Sequence, residues 1–197
     1  MTILRTSGRS NRRPAWAKSC ILFLTFLLVC PRGLSADSAA EEYSVKAAFL
    51  FHFAQFVEWP QGTFSDPGSA LTYCTLGQDP FHGALDNSLS GKTVGGRPLR
   101  VLHLKSSQDS RGCHVLFLGA AEKKLIPAAL SNLNGKPILT VGETEHFVAD
   151  GGMIGFSLAE NKICFEINLE AAEKAKLKIS SRLLSLAKSV LGAPEGH

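Results

Sequence analysis

Hydrophobic and polar positions change period several times along the chain. In VKAAFLFHFAQFVEWP, residues 45–60, Val45, Ala48, Phe49, Phe53 and Phe56 recur at i, i+3 and i+4, the spacing of one helix face. Leu50, Phe51 and Val57 widen that stripe to most of the circumference, and only Lys46, His52, Gln55 and Glu58 interrupt it. The pattern predicts a mostly buried helix over 41–58, a core element rather than a membrane segment. Asp37 or Ser38 is its expected cap, Glu41 and Glu42 suit the positive end of its dipole, and Pro60 is its expected stop. Its end, Val57 to Pro60, is expected to reach the surface, which makes Trp59 a candidate partner contact.

Short apolar runs separated by turn chemistry follow. Residues 70–77 (ALTYCTLG), 99–104 (LRVLHL), 113–119 (CHVLFLG) and 137–142 (PILTVG) read as strands. Residues 79–89 read as a short helix, with Asp79 as cap and Pro80 in the first turn. Residues 121–133 read as a helix that starts late or kinks at Pro127. GKTVGGRP, 91–98, reads as a Gly-rich turn, and 152–169 as a hairpin turning near Glu160 and Asn161. AAEKAKL and SSRLLSLAKSV read as one short and one longer helix, the second capped by Ser180 or Ser181. Strands alternating with helices predict a single-domain α/β sandwich, with a mixed, mostly parallel sheet flanked by helices.

The first 36 residues stand apart. Arg5, Arg9, Arg12, Arg13, Lys18 and Arg32 surround the apolar run ILFLTFLLV, residues 21–29, and GLSADSAA follows. A basic region, a short apolar core and small residues at a cut site describe a secretory signal peptide. The run is too short to span a bilayer, which takes about 20 apolar residues. Cleavage is expected after Ala36 or Ala40. Arg12-Arg13 before Pro14 is a poor twin-arginine match, and Val29 is bulky for a lipoprotein site at Cys30. The expected division is a leader over 1–36, a domain over 37–192 and a polar tail over 193–197. The chain counts 21 basic and 17 acidic residues. Without the six basic residues of the leader, 15 face 17, a net charge of −2. The basic balance therefore belongs to the leader and gives no ground for nucleic-acid binding. An exported domain that does not span a membrane is expected.

Cys20 and Cys30 lie in the leader, which leaves Cys74, Cys113 and Cys164. In an oxidising compartment three cysteines predict one bridge and one spare thiol. Spacing does not assign the pair. Cys74 and Cys113 each sit in a short apolar run, and their sulfurs meet if those runs are neighbouring strands. That bridge would close a loop of about 40 residues, worth roughly 4 kcal/mol in the chain-entropy model. Cys164 reads as a buried free thiol.

The search for catalytic chemistry returns little. His52, His82, His103, His114, His146 and His197 are scattered, with no HExxH and no Cys/His pair at metal spacing. There is no G-x-S-x-G elbow, and GKTVGGRP lacks both phosphate-loop fingerprints. No enzyme, cofactor or metal is expected. One strand carries an unusual pair. In KICFEINL, period two places Cys164, Glu166 and Asn168 on one face, and Phe165, Ile167 and Leu169 on the other. Glu166 and Asn168 are candidate polar anchors for a partner, and Arg182 is the expected ion-pair partner of Glu166.

VKAAFLFHFAQFVEWP, LTYCTLGQDPF, GKTVGGRP, GCHVLFLG, GKPILTVGE, GGMIGFSL, ICFEINLEAA and LKISSRLLSLAK, in that order behind a leader, resemble the YfiR-like family of periplasmic proteins. The resemblance covers nearly the whole chain after the leader and implies an α/β sandwich. It also implies the function of the family's best-studied member, a periplasmic repressor. That protein binds the periplasmic domain of an inner-membrane diguanylate cyclase, keeps cyclic-di-GMP synthesis low, and is sequestered by an outer-membrane lipoprotein. On this likeness Cys74 and Cys113 fall where the repressor has a disulfide. Its second disulfide brackets the segment matching Gly151 to Gly155; here that segment reads GGMIG, and redox control through a second bridge is not carried over. Ile154 and Glu166 fall on partner-contacting positions, with Phe156 and Asn168 as neighbours. A homodimer is a further arrangement. The alternative reading is a periplasmic small-ligand sensor, with GKTVGGRP and GGMIG as lining loops.

Overall fold

The computed structural model describes residues 34–160 and 162–192, with side chains from Ser38 onward. The expected leader, apart from its last residues, and the tail 193–197 lie outside the described residues. The chain divides into two compact units, 1–37 and 38–197, and the first contributes only the opening turn of a helix to the described residues.

That helix, α1 (Leu34–Gln55), passes through Asp37 and Ser38, so neither caps it. It also stops short of its expected end. Phe56 N donates to Phe53 O at 3.1 Å, and Val57 and Glu58 leave the helix as β1 (Val57–Glu58). Pro60 restricts Trp59 to extended backbone, and pairing with β9 (Lys178–Ile179) holds Val57 and Glu58 extended as well. Val57 sits opposite Ile179.

The remaining elements are β2 (Leu71–Leu76), α2 (Ala84–Leu89), β3 (Thr93–Val94), β4 (Arg97–Leu104), β5 (Val115–Leu118), α3 (Ile126–Leu133), β6 (Leu139–Gly142), β7 (Ile154–Ala159), β8 (Lys162–Asn168), α4 (Leu169–Lys174), α5 (Ser181–Leu184) and β10 (Ser189–Leu191). Eight strands form one sheet in the order β10-β8-β7-β6-β5-β2-β4-β3. The pairs β3–β4 and β7–β8 are antiparallel and the others parallel. The sandwich read from the sequence is the observed architecture.

Strand alternation sends the core two ways. Leu71, Tyr73, Val115, Phe117, Leu139 and Val141 face a core shared with α1 and α2. Cys74, Leu76, Leu116 and Leu118 face a second core shared with α3. Both faces of the parallel strands are thus covered, as parallel sheets require. Phe53, on the sheet-facing side of α1, is fully buried, with Phe165 at 5.0 Å and Phe156 at 5.6 Å between ring centroids.

Three local expectations are corrected. The helix expected from residue 79 begins at Ala84, because His82 and Gly83 both have positive φ. Asp79 instead holds the preceding turn, accepting from Phe81 N at 3.0 Å and Gly83 N at 3.3 Å. GKTVGGRP is a hairpin: β3 and β4 are joined by Gly95 and Gly96, both at positive φ as a two-residue turn of this kind demands. The longer C-terminal helix does not form. α5 ends at Leu184, and β10 adds in parallel to the open edge of β8, where Lys188 N donates to Phe165 O at 2.8 Å. Pairing an unpaired strand edge outweighs the helical spacing of Leu183, Leu184 and Ala187. Other expectations hold: Pro127 lies in the first turn of a late-starting α3, and Ser180 caps α5 by accepting from Leu183 N.

Candidate interaction site

The hairpin of β7 and β8 carries most of the expected partner positions. Its register puts Ile154 opposite Ile167, Gly155 opposite Glu166, and Phe156 opposite Phe165. Ile154 is 0% and Phe156 6% exposed. Both belong to the core beneath α1, so in this fold neither offers side-chain surface to a partner. Two residues further along the same face, Leu158 has passed the edge of α1 and is 63% exposed. Period two identifies the face of a strand; it does not say how far the covering helix reaches.

Leu158 and Ile163 of the hairpin, with Val45 and Phe49 of α1, line a groove of about 830 Å³. Glu41 and Glu42 on one wall and Lys162 on the other give it a charged rim. Val45, at 41% exposed, is a second large apolar side chain left open. No local pattern in the sequence signals this groove, because Val45 and Phe49 lie more than a hundred residues from Leu158 and Ile163.

Glu166 points to the opposite face. It is half-buried, and its ion pair is with Lys188 Nζ at 3.8 Å, not with Arg182. Lys188 is brought there by β10, which the helical reading of that segment missed. Arg182 is exposed on α5. Asn168 is buried and structural: its Oδ1 accepts from Ala171 N at 2.9 Å, capping α4, and its Nδ2 donates to Val148 O at 2.8 Å. Cys164 is a free, half-buried thiol. Trp59 is half-buried, edge-on to Phe64 at 6.2 Å, and its buried Nε1 has no hydrogen-bond partner among the described residues. The expected contact residues therefore do not form one surface.

Where the parallel strands end, a buried polar cluster replaces the ligand cleft common in α/β folds. Glu143, immediately after β6, places Oε2 2.6 Å from Lys46 Nζ. Its Oε1 accepts from Tyr43 OH at 3.0 Å and from Ala120 N at 2.8 Å. Lys46 also meets Glu42 at 2.5 Å and lies over the Tyr43 ring. Burial, reinforced by the Glu143 carboxylate, raises the Tyr43 phenol above its usual range. Burial alone raises Tyr73, whose hydroxyl has no partner among the described residues. In sequence, Lys46 was visible only as an interruption of an apolar stripe.

At the other end of the strands, Cys74 and Cys113 form a disulfide with Cα atoms 5.9 Å apart. This is the pairing the family likeness implied. Next to Cys113, the His114 ring stacks on Phe64 at 4.5 Å, and Nδ1 accepts from Thr72 N at 3.0 Å. Burial, then the nearby Arg97 guanidinium, lowers the His114 pKa, while a hydrogen bond to the Thr63 backbone opposes them. Among the described residues there is no group of three His, Cys, Asp or Glu side chains placed to hold a metal, and no helix long and apolar enough to cross a membrane.

A protein-family model described as YfiR/HmsC-like matches residues 43–188. Among solved structures, a conserved domain protein from Vibrio cholerae O1 biovar El Tor is similar, with a TM-score of 0.51 at 12% identity. The match covers 75% of this chain and 60% of that one, so this chain spans about three fifths of the other protein's length. At that identity the likeness speaks for the fold alone.

Proposed function

The chain belongs to the YfiR/HmsC-like family, and from this we propose that it is an exported, non-catalytic inhibitor that docks on the periplasmic domain of an inner-membrane diguanylate cyclase or a similar sensor. The family is regulatory rather than catalytic, and periplasmic in general. A disulfide suits such an oxidising compartment. Cleavage of the leader after Ala36 or Ala40 would deliver the domain there. An outer-membrane lipoprotein that sequesters the inhibitor would compete with the cyclase for it.

The observation that carries the docking reading is the groove between α1 and the β7–β8 hairpin. It exposes Leu158 and Val45 beside Phe49 and Ile163, with charges confined to its rim. Buried apolar centres with polar rims are how protein partners are held. Glu166 and Arg182 remain candidate polar contacts, through carboxylate and guanidinium groups that solvent reaches. Ile154, Phe156 and Asn168 would act from beneath, by fixing the hairpin.

The test is intracellular cyclic-di-GMP in a strain lacking the protein, complemented with wild type, Leu158→Asp or Glu166→Ala. Deletion is expected to raise the level and wild type to restore it. Leu158→Asp, folded but with a charge in the groove, is expected to fail. A level unchanged by deletion would remove the cyclase reading, and full rescue by Leu158→Asp would remove the groove.

A further inference from the structure

A cavity of about 490 Å³ opens at the amino-terminal ends of β2, β5 and β6. Its walls carry three cations, Arg100, Arg111 and Lys136, and no carboxylate. Among the described residues none of the three makes an ion pair. Arg100, Arg111 and Lys136 are all exposed residues, so solvent screens their mutual repulsion and a dissolved anion can reach all three. In a domain whose charge after the leader is slightly negative, three like charges gathered on one concave surface make a local positive potential that attracts small anions.

The cavity is also held in shape. Arg97 Nη1 donates to Asp66 O at 2.7 Å, Pro67 O at 3.1 Å and Ser69 O at 3.0 Å, while the guanidinium covers Phe64 at 3.9 Å. Arg97 thus pins the loop that forms one rim. The disulfide pins the opposite side, because Cys113 and its neighbours Gly112 and His114 line the cavity. Arg100 Nη2 donates to the fully buried Thr72 Oγ1 at 3.1 Å, which fixes one cation against the floor. His114 stays neutral there, since its Nδ1 accepts from Thr72 N. It adds no charge, and its ring backs Phe64. At the carboxyl end of β6, beside the usual ligand position, the Lys46–Glu143 pair already supplies its own countercharge, whereas the three cations here have none among the described residues.

We propose that this cavity binds a small ligand carrying two or more negative charges on phosphate or carboxylate oxygens, with Arg111 and Lys136 as its principal contacts and Arg100 beneath. Guanidinium groups and hydroxyls in one wall suit such oxygens.

Calorimetric titration of the purified exported protein with inorganic phosphate, and separately with citrate, tests this at matched ionic strength. Saturable binding of at least one is expected at millimolar concentration or below. The double variant Arg111→Ala/Lys136→Ala should weaken it by about tenfold or more, as loss of charge-assisted hydrogen bonds implies. Lys124→Ala, which removes an exposed charge that does not line the cavity, should leave it within about twofold. Phosphate binding alone would assign a phosphate-bearing ligand, and citrate binding alone a polycarboxylate. Binding of neither, or binding that the double variant leaves intact, would overturn the proposal. The readout is independent of whether the protein docks on a cyclase.

Discussion

Lys46→Met tests how α1 is fastened to the sheet. The Lys46 ammonium is 5% exposed as a residue and lies between Glu42 and Glu143. Met keeps most of the length and apolar stem while removing the charge. Glu143, with only 6% of its side chain exposed, then retains Tyr43 OH and Ala120 N but loses its countercharge. Stranding one member of a buried pair costs about 3–5 kcal/mol, which in a domain of this size lowers Tm by roughly 6–20 °C. Glu143→Gln should cost less, because Glu42 still faces the ammonium. The double variant Lys46→Met/Glu143→Gln should recover to within about 1–2 kcal/mol of wild type, since replacing a whole buried pair is often near neutral. Urea denaturation of all four proteins, followed by far-ultraviolet circular dichroism, gives the coupling energy. A Lys46→Met protein within about 0.5 kcal/mol of wild type, or single costs that simply add in the double, would refute the reasoning.

Stability should also depend on pH through His114. Its pKa is lowered in the folded state, so this contribution is fully present above the unfolded value of about 6.5 and is lost as pH falls through the folded value. Urea midpoints between pH 7.5 and 5 should fall less steeply in His114→Asn; an identical slope would count against it. Breaking the disulfide, whose cysteines are 39 residues apart, should cost about 4 kcal/mol by the loop-entropy relation. Urea midpoints of Cys74→Ser/Cys113→Ser against Cys164→Ser check this, and equal midpoints would contradict it. Asn168→Ala should lose about 1–2 kcal/mol by uncapping α4 and freeing Val148 O. A melting curve identical to wild type, together with lost repression in cells, would restore Asn168 as a partner anchor.

What the sequence revealed, and what it hid, follows from the range of the interactions concerned. The order of strands and helices was legible, because the short apolar runs LTYCTL and VLFL and the helical spacing in AAFLFHFAQF are local patterns. The boundaries that failed are those set by pairing at a distance. Val57 and Glu58 leave α1 to meet Lys178 and Ile179, and Ser189 to Leu191 leave a helical pattern to extend β8. Site residues divide the same way. Glu166 and Asn168 were correctly placed on one strand face, yet only the fold shows that one is half-exposed and the other a cap. Glu143 was passed over because a lone carboxylate after a strand has no local signature; its meaning comes from Lys46, almost a hundred residues away. Arg100, Arg111 and Lys136 were likewise invisible as a group, being separated by strands that the sheet lays side by side.

The two proposed surfaces share an element. α1 supplies Val45 and Phe49 to the groove, and its C-terminal end runs through β1 into the loop whose Thr63 and Phe64 line the cationic cavity. A ligand that releases the partner must bind the free protein more tightly than the docked one, and the partner must then weaken the ligand by the same factor. A shift of α1 along the sheet would carry such coupling, and the Lys46–Glu143 ion pair, which ties α1 to the end of β6, would oppose it. Loosening the pair with Glu143→Gln should therefore alter any coupling between anion and partner while leaving Arg111 and Leu158 in place. Equal partner affinity with and without saturating phosphate, in wild type and in Glu143→Gln alike, would show that the two surfaces work independently.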